Sequence, residues 1–529
     1  MWHVVWFKRD LRVEDHAPLA AAAAAGPALP LYVVEPELWA QPDASGRHWA
    51  FVRESLHDLR AGLARVGLPL VVRSGDVVAV FERLRRRHGI ASIHAHQETG
   101  NDWTFRRDRR VLAWAREQGI AVTEHPAFGV VRRMRSRARW TAQWEQVMRA
   151  PIASLRIAPQ PALPFDVGAI PDAPTAALPA DDGPGRQRGG RAEALALLDS
   201  FLGERGRHYT REMSSPLSAA SACSRLSPHL AYGTLGLREL VQRVRRERAR
   251  VGDLASLDAF AQVECSDALP AQDPRRSTNP WKRSLASFES RLHWHCHFIQ
   301  KLESEPEIEF QNVHRGFDGL REHDFDASRF DAWRRGETGW PFVDACQRML
   351  AATGWINFRM RAMLVAVASY QLWLHWREPA LFLARQFTDY EPGIHFPQVQ
   401  MQSGVTGINI PRIYNPIKQS RDQDPHGRFI RRWLPQLRGV PDGFIHTPWL
   451  MDRKQQQAAG CRIGGGYPAP IVDHAQAARE ARSRYLDWRR QPGMRELAES
   501  VLRKHGSRKR RLATRSAAAA PQPDLFAGS

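Results

Sequence analysis

The chain has 529 residues, more than one hydrophobic core usually supports, so we expect two domains and an additional tail. Hydrophobic residues make up 43% and charged residues 25% of the chain, which excludes a largely disordered or fibrous protein. The formal net charge is +20 and most basic residues are arginine, so a polyanion such as nucleic acid is an expected partner. Codon usage in a GC-rich genome would explain the excess of arginine over lysine but not the net charge.

No stretch reaches the roughly 18 apolar residues of a membrane-spanning helix. Lys8, Arg9 and Asp10 lie where a signal peptide needs apolar residues. The five cysteines are scattered without a CxxC motif, which indicates neither a disulfide framework nor a zinc site. We therefore expect a cytoplasmic monomer with no membrane association and no bound metal.

The first 130 residues alternate short β-type runs with helical stretches. The predicted strands cover residues 3–7, 29–34, 68–73, 92–96 and 120–125, and a helix with one apolar face covers residues 48–65. This alternation predicts an α/β N-terminal domain, 1–130, with an open parallel sheet of the Rossmann-like kind, which binds ligands at the carboxyl ends of its strands. The domain has neither GxGxxG nor a P-loop motif, so its pattern favours no particular ligand.

Prolines and glycines identify residues 131–195 as a linker, which ends in the run DDGPGRQRGG. Residues 196–485 have apolar residues at helical spacing and many tryptophans, so they predict an all-α C-terminal domain with tryptophans in its core. Residues 486–529 are basic and end without apolar periodicity, and we predict that they form a largely disordered tail.

Five segments resemble, in the same order, the motifs of the cryptochrome/photolyase family. They are WFKRDLRVEDHAPL (6–19), CSRLSPHLAYGTLGLREL (223–240), TGWPFVDACQRMLAATGWINFRMRAML (338–364), RIYNPIKQSRDQDPHGRFIRRWLPQL (412–437) and YPAPIVDH (467–474). On these motifs the chain is identified as a member of that family, in a bacterial and atypical branch. The resemblance covers roughly residues 1–480 and implies an antenna-type α/β domain, a linker and a helical FAD-binding domain.

The resemblance implies a set of FAD contacts. The family's flavin-phosphate segment corresponds to Cys223, Ser224, Arg225, Leu226 and Ser227, and Cys223 replaces the usual threonine. Hydroxyl groups and a guanidinium at a helix start suit phosphate binding. The other implied cofactor contacts are Tyr209, the ion pair of Arg361 with Asp389 beside the flavin ring, Glu391 as the second acid of the family's D-x-D, and His395, which lies within two residues of the position facing flavin N5.

The family's photolyases flip a pyrimidine dimer out of the duplex and repair it with an electron from reduced flavin. Trp294 keeps the tryptophan that packs on the lesion, but Arg291 replaces the glutamate that holds a cyclobutane dimer. Phe358, one residue after Asn357, replaces an asparagine, and the two histidines of (6-4) photolyases are missing. The substrate pocket is therefore altered. The candidate DNA- and lesion-binding residues are Arg291, Trp294, Asn357, Phe358, Arg359 and Gln419.

The family's chain of tryptophans that supplies electrons to the flavin is interrupted in this sequence. Trp376 matches its middle member, but no tryptophan lies between residues 377 and 432, where the proximal one is expected. Trp373, Trp355 or Tyr390 would offer another route to the flavin.

Two functions follow from the resemblance. The first is a blue-light-driven, FAD-dependent DNA photolyase that acts on UV-damaged DNA, favoured by the net charge and by Trp294. The alternative is a cryptochrome-like photoreceptor without repair activity, favoured by the replaced pocket residues and the interrupted tryptophan chain. An antenna chromophore in the N-terminal domain stays open among a folate, a deazaflavin, a second flavin and a lumazine.

Near the C-terminus, QPDLF resembles the Q-x-x-L-F peptide by which bacterial repair and replication proteins bind the sliding clamp. Gln522, Leu525 and Phe526 would be the contacts, and a disordered tether would extend their reach. A chance match in a polar tail is the alternative, because the motif is only five residues long.

Overall fold

The computed structural model of the protein describes residues 1–134, 136–181, 183–251, 279–409 and 411–506. Its N-terminal part contains one parallel sheet with the strand order β3-β2-β1-β4-β5. The strands are β1 Trp2–Phe7, β2 Ala28–Val34, β3 Val71–Ser74, β4 Ile90–His96 and β5 Ala121–His125. All five predicted strands are confirmed, with small shifts at their ends.

Helices cover both faces of this sheet. They are α1 Ala17–Ala25, α2 Pro36–Trp39, α3 Gly46–Arg65, α4 Val77–His88 and α5 Asp102–Glu117. Successive side chains of β1 point to opposite faces: Val5 and Phe7 join one core with Leu56 of α3, whereas Val4 and Trp6 join another. Burial on both faces explains why the central strand is a continuous apolar run.

The strand order changes direction between β1 and β4, and such a switch point opens a crevice at the carboxyl ends of the strands. Lys8, Arg9 and Asp10 follow β1 at this edge, and Glu98 follows β4. The same segment contacts the helical region, because Arg9 Nε donates to the Ala231 carbonyl at 2.9 Å. The sheet edge and the helical domain therefore meet here.

The remaining chain is largely helical. Its α-helices are α6 Trp140–Arg149, α7 Arg191–Ser200, α8 Tyr209–Glu212, α9 Ala219–Ala222, α10 Ser227–Ala231, α11 Leu237–Arg250, α12 Pro280–Ser304, α13 Ala327–Arg335, α14 Pro341–Thr353, α15 Phe358–Ala366, α16 Arg377–Gln386, α17 Pro392–Ser403, α18 Pro416–Gln423, α19 Arg428–Trp433, α20 Arg453–Ala458, α21 His474–Arg489 and α22 Met494–His505. Trp333, Trp340 and Trp376 are fully buried in its core. Among the described residues, no helix is long and apolar enough to cross a membrane.

The segment predicted as a linker contains α6 and the start of α7, with neither helix nor strand in its described residues from 151 to 190. The predicted disorder of the tail is wrong for α22, which buries Met494, Val501 and His505. His505 Nε2 lies 2.5 Å from the Glu305 carboxylate. The basic composition of this segment concealed an amphipathic helix. The predicted clamp contacts Gln522, Leu525 and Phe526 lie outside the described residues.

Candidate functional site

Residues 223–227 connect α9 to α10 and lie among arginine side chains. The guanidinium of Arg205 donates to the carbonyl oxygens of Cys223 and Ser224, the latter at 3.0 Å. Burial raises the pKa of the Cys223 thiol to about 11, although four positive charges act on it in the opposite direction. These charges belong to Arg205, Arg225, Arg291 and Arg361. Asp389 faces two of these arginines, Arg361 and Arg225, so the four guanidiniums leave an excess of positive charge near Cys223 that suits a diphosphate.

Arg225 is held in a defined orientation by a side chain of the linker. Its Nε donates to Gln187 Oε1 at 2.9 Å, and Gln187 Nε2 donates to the Arg225 carbonyl at 2.8 Å. The guanidinium lies 4.0 Å from the ring centroid of Trp355. Burial lowers the pKa of Arg225 to about 10, so an anion next to it would relieve the desolvation of this cation.

The structure brings together the predicted ion pair of Arg361 and Asp389. Two parallel hydrogen bonds of 3.0 and 2.8 Å join the guanidinium to the carboxylate. Burial alone would raise the pKa of Asp389, but Arg361, the hydroxyl of Ser227 and the charge of Arg225 hold it below its usual value. Asp389 is therefore an ionised carboxylate in a buried place, ready to accept hydrogen bonds.

Glu391 and His395, both predicted to lie beside the flavin, make contacts within the protein. Glu391 pairs with Arg9 at 3.1 Å, and its side chain accepts from the Gly393 amide at the start of α17. His395 Nε2 lies 2.8 Å from the Ala380 carbonyl and must donate to it, which leaves Nδ1 as an acceptor. Burial lowers the pKa of His395 to about 4, so the ring is neutral at physiological pH.

Arg291 and Asn357, both predicted to contact the lesion, lie beside other groups of the protein in this structure. The charge of Arg291 acts on the hydroxyl of Tyr209 and on the Cys223 thiol, which places Arg291 beside the arginine cluster at Cys223. Asn357 Nδ2 donates to the carbonyls of Met213 and Ser214, at 3.2 and 2.8 Å. The Asn357 amide thereby fixes the start of α15 to the segment after α8.

The other predicted DNA and lesion contacts have exposed or partly exposed side chains. Phe358 is 52% exposed at the start of α15. Trp294 is partly buried, and its ring stacks on Phe298 with centroids 5.6 Å apart. Arg359 Nε and Gln419 Oε1 are buried atoms without a hydrogen-bond partner in the described part of the chain.

The three candidate tryptophans for electron transfer lie in different surroundings. Trp376 is buried and donates to Asn312 Oδ1 at 2.7 Å. Trp373 lies between the guanidiniums of Arg321 and Arg484, 4.6 and 5.2 Å from its ring centroid. Trp355 has Arg225 over its ring. No ring contact between any two of these tryptophans occurs among the described residues.

A cavity of about 90 Å³ lies at the carboxyl edge of the sheet. Aromatic rings of Trp6, Tyr32 and Trp39 line it, together with charged groups. Arg107 also lines the cavity and pairs with Glu35 at 2.8 Å and with Glu98 at 2.6 Å. This cavity reaches Tyr390 and Pro392, so it extends to the helical domain next to Asp389.

Asp10, His16 and His96 form a buried group with the spacing of metal ligands. His16 Nε2 and His96 Nδ1 both hydrogen-bond Asp10 Oδ2, at 2.9 and 2.7 Å. His16 Nδ1 accepts a hydrogen bond from the Leu19 amide, so the proton of the neutral ring is on Nε2. A metal on Nε2 would require an imidazolate, and hydrogen bonding to an ionised Asp10 is therefore the favoured state.

Two residues that position the candidate site, Arg205 and Gln187, were not predicted from the sequence. Arg205 lies four residues before Tyr209, and Gln187 lies in the linker run GPGRQRGG. The available signal was that run itself, because arginine and glutamine between glycines indicate a segment that packs closely on a charged site.

Two family profiles match the chain. Residues 3–136 match the profile described as DNA photolyase, and residues 288–487 match the one described as FAD binding domain of DNA photolyase. The chain is 30% identical over 505 residues to cryptochrome-1 of Arabidopsis thaliana, which covers 90% of this chain and 69% of that protein. It is 28% identical over 496 residues to a deoxyribodipyrimidine photo-lyase of Streptomyces griseus, with 92% and 99% covered. The crystal structure of a bacterial class III photolyase from Agrobacterium tumefaciens aligns with a TM-score of 0.75 and 24% identity, over 93% and 98% of the two chains.

A parallel α/β domain followed by a largely helical FAD-binding domain defines a two-domain flavoprotein. The chain belongs to the cryptochrome/photolyase family. Its relatives include both photolyases and cryptochromes, so membership leaves repair and photoreception as alternatives.

Proposed function

We propose that the protein is a blue-light-driven, FAD-dependent DNA photolyase that acts on UV-damaged DNA in the cytoplasm. The observation that carries this proposal is on α15. Phe358, 52% exposed, lies one helical turn from Arg361, which pairs with the buried Asp389. An exposed aromatic ring at the entrance of a charged site suits an unstacked base, because bases stack on aromatic side chains.

The residues present fit FAD. Arg225 would hold the diphosphate, and Arg205 would position the segment beside it through the carbonyl oxygens of Cys223 and Ser224. The Ser227 hydroxyl and Asp389 would orient the groups that follow the diphosphate. When bound, FAD absorbs the blue light and supplies the electron for repair. The chain itself supplies the positive charge that binds the phosphates, and it also supplies the ionised Asp389 carboxylate.

DNA binding is supported by the partly exposed side chains of Trp294, Arg359 and Gln419. Arg359 Nε and Gln419 Oε1 are themselves buried atoms without a hydrogen-bond partner in the described ranges, so the contacts would come from the other atoms of these side chains. Together with a net charge of +20, these groups would contact phosphates and the flipped base.

A cryptochrome-like photoreceptor is the second candidate, and the pocket residues favour it. Phe358 has no group that could hydrogen-bond a dimer, and the charge of Arg291 acts on Tyr209. A protein that only signals does not need such groups.

A repair assay decides between the two functions. Photoreduced protein is illuminated with blue light on oligonucleotides that carry a cyclobutane dimer or a (6-4) photoproduct, with dark controls. We expect light-dependent restoration of one lesion. No repair of either lesion, with reduced flavin bound, would favour the photoreceptor. Phe358→Ala should weaken binding of the damaged oligonucleotide, whereas Phe325→Ala, at another exposed phenylalanine (38%), should not.

We propose the cavity at the sheet edge as the place where an antenna chromophore would bind. At about 90 Å³ it is too small for a ring pigment as it stands, because a cavity of about 150 Å³ is needed to hold benzene. A tricyclic ring would therefore require side chains such as Trp39 to move. The test is to heat the isolated protein and identify the released pigments by chromatography. A stoichiometric folate, deazaflavin, second flavin or lumazine beside FAD would support the assignment, and FAD alone would contradict it.

We also propose that QPDLF binds the replication sliding clamp. Deletion of residues 521–529 should abolish clamp binding in a pull-down and leave the flavin content unchanged. The double variant Leu525→Ala, Phe526→Ala should act like the deletion. Clamp binding that survives both changes would refute the assignment.

A further inference from the structure

Tyr390 separates the candidate flavin site from the cavity at the sheet edge. It follows Asp389 in the chain, is buried, and lines the cavity. Its hydroxyl donates to Asp43 Oδ2 at 2.7 Å. Asn101 Nδ2 donates to both oxygens of Asp43, at 3.1 and 3.0 Å, and thus fixes the carboxylate toward the phenol.

The charge next to each alternative electron donor distinguishes Tyr390 from the two tryptophans. Arg321 and Arg484 lie over Trp373, and Arg225 lies over Trp355. A positive charge over a ring stabilises its electrons and opposes oxidation to a radical cation. Trp373 also donates from Nε1 to a carboxylate, Asp324, at 3.1 Å, so a carboxylate partner alone does not set Tyr390 apart. What sets it apart is that no guanidinium lies over its ring in the described part of the chain, while its hydroxyl faces Asp43 and the nearby Arg9 is paired with Glu391.

Aromatic contacts connect Tyr390 with the interior of the helical domain. Its ring centroid lies 5.3 Å from that of His395 and 6.4 Å from that of Phe396. Phe396 also contacts Trp376, with centroids 6.4 Å apart. Tyr390 therefore adjoins both Asp389 and the environment of the family's middle tryptophan.

We propose that Tyr390 is a photo-oxidisable electron donor and that Asp43 accepts its phenolic proton. The inference rests on the proposed flavin site and deepens it. Tyr390 would give one electron to a light-excited, oxidised flavin bound beside Asp389, while its phenolic O–H bond breaks and a new O–H bond forms on Asp43 Oδ2. The chain would then hold a neutral tyrosyl radical and a neutral Asp43 carboxylic acid, and the electron would reside on the bound cofactor.

Moving the proton together with the electron avoids a buried radical cation, which would be costly in this interior. An added thiolate then supplies the electron that restores Tyr390, and the proton returns from Asp43. The thiyl radicals of two turnovers combine to a disulfide.

The test uses the full-length, flavin-loaded protein labelled with ring-deuterated tyrosine. Electron paramagnetic resonance after blue-light excitation should show a tyrosyl radical, recognised by the narrowing of its spectrum on deuteration. Tyr390→Phe should lose this radical. Tyr467→Phe is the matched control, because Tyr467 is a buried tyrosine that also donates to a carboxylate, Asp344, but has no ring contact with His395 or Phe396 among the described residues.

A second readout follows the proton. Light-minus-dark infrared spectra should show a new carboxylic-acid carbonyl band together with the radical, and Asp43→Asn should lose the band and the solvent isotope effect on radical formation. A tyrosyl radical that persists unchanged in Tyr390→Phe would overturn the inference while flavin is still bound. A wild-type chain without bound flavin would overturn both the inference and the proposed function.

Discussion

Arg361 and Asp389 form the buried charge pair on which the candidate site depends. Replacing Arg361 by alanine would leave the Asp389 carboxylate without its bidentate partner in a desolvated place. Loss of one member of a buried pair costs about 3–5 kcal/mol, and partial exposure of Arg361 favours the lower end of this range. We therefore expect Arg361→Ala to reduce the free energy of unfolding by about 3 kcal/mol and to abolish flavin retention, as measured by urea denaturation and visible absorbance.

Arg334→Ala is the matched control for this prediction, because Arg334 pairs with the exposed Asp331 on the surface of α13. It should change neither stability nor flavin content appreciably. An Arg361→Ala protein that unfolds like the wild type and keeps its flavin would show that Asp389 is not the charge that needs compensation.

For single residues, the sequence predicts which residues belong to the candidate site better than it predicts which groups they contact. The Arg361–Asp389 pair could be predicted because both residues occupy family motif positions. The partner of Glu391 could not, because Arg9 lies in the other domain and its pairing depends on how the domains meet. The link between Arg291 and Tyr209 likewise depends on the packing of α12 against α8.

The glycine-rich end of the linker is an element that connects both domains. The Gly189 amide donates to Glu54 of α3 at 2.7 Å, Arg186 pairs with the same carboxylate, and Gln187 holds Arg225. A Cβ on Gly189 would lie 2.1 Å from the Phe51 carbonyl oxygen, closer than any real contact. Gly189→Ala should therefore push this segment away from α3.

We expect Gly189→Ala to lower the free energy of unfolding by about 1–3 kcal/mol and to weaken flavin binding through Arg225, as measured by denaturation and flavin titration. Gly203→Ala is the control, because a Cβ there meets nothing within 4 Å. Flavin affinity that falls equally in both variants would contradict a specific role of the segment.

Strands and helices could be predicted from the sequence where one pattern of apolar residues dominated the segment. The central strands could be predicted because runs such as HVVWF are buried on both faces of the sheet. Helix α22 was missed because its basic residues suggested a solvated tail, although Met494 and Val501 lie on one buried face. The role of Gln187 was hidden because a linker composition indicates how the chain bends, not what it touches.

Over the whole molecule, many histidines are buried in the neutral state. Burial lowers the pKa of these side chains below the ordinary value of 6.5, to about 4 for His229 and about 3 for His96. The same direction holds for His16, His48, His293, His295, His297, His395 and His505. At these histidines the folded protein binds fewer protons than the unfolded chain in mildly acidic solution. Burial raises the pKa of Glu35 and Glu309 to about 7, which acts in the opposite direction at fewer groups.

This difference predicts acid lability with a definite sign. Between the folded pKa and the unfolded value of about 6.5, the unfolded state binds more protons, so stability rises with pH and falls on acidification. Each such histidine contributes at most about 1.4 kcal/mol per pH unit within that window. We expect the free energy of unfolding in urea to decrease steeply from about pH 6.5 to pH 4.5.

A single substitution can separate this linkage from general acid effects. His96→Gln keeps a donor for Asp10 but cannot titrate, so the pH dependence of stability below about pH 6.5 should become shallower by up to about 1.4 kcal/mol per unit. His57→Gln, at an exposed position on α3, should leave the slope unchanged. Equal slopes in the wild type and His96→Gln would mean that His96 is protonated in the folded state. The hydrogen bonds that fix Asp10 at the carboxyl edge of the sheet would then have to come from an imidazolium, and the Asp10 carboxylate would be its counterion.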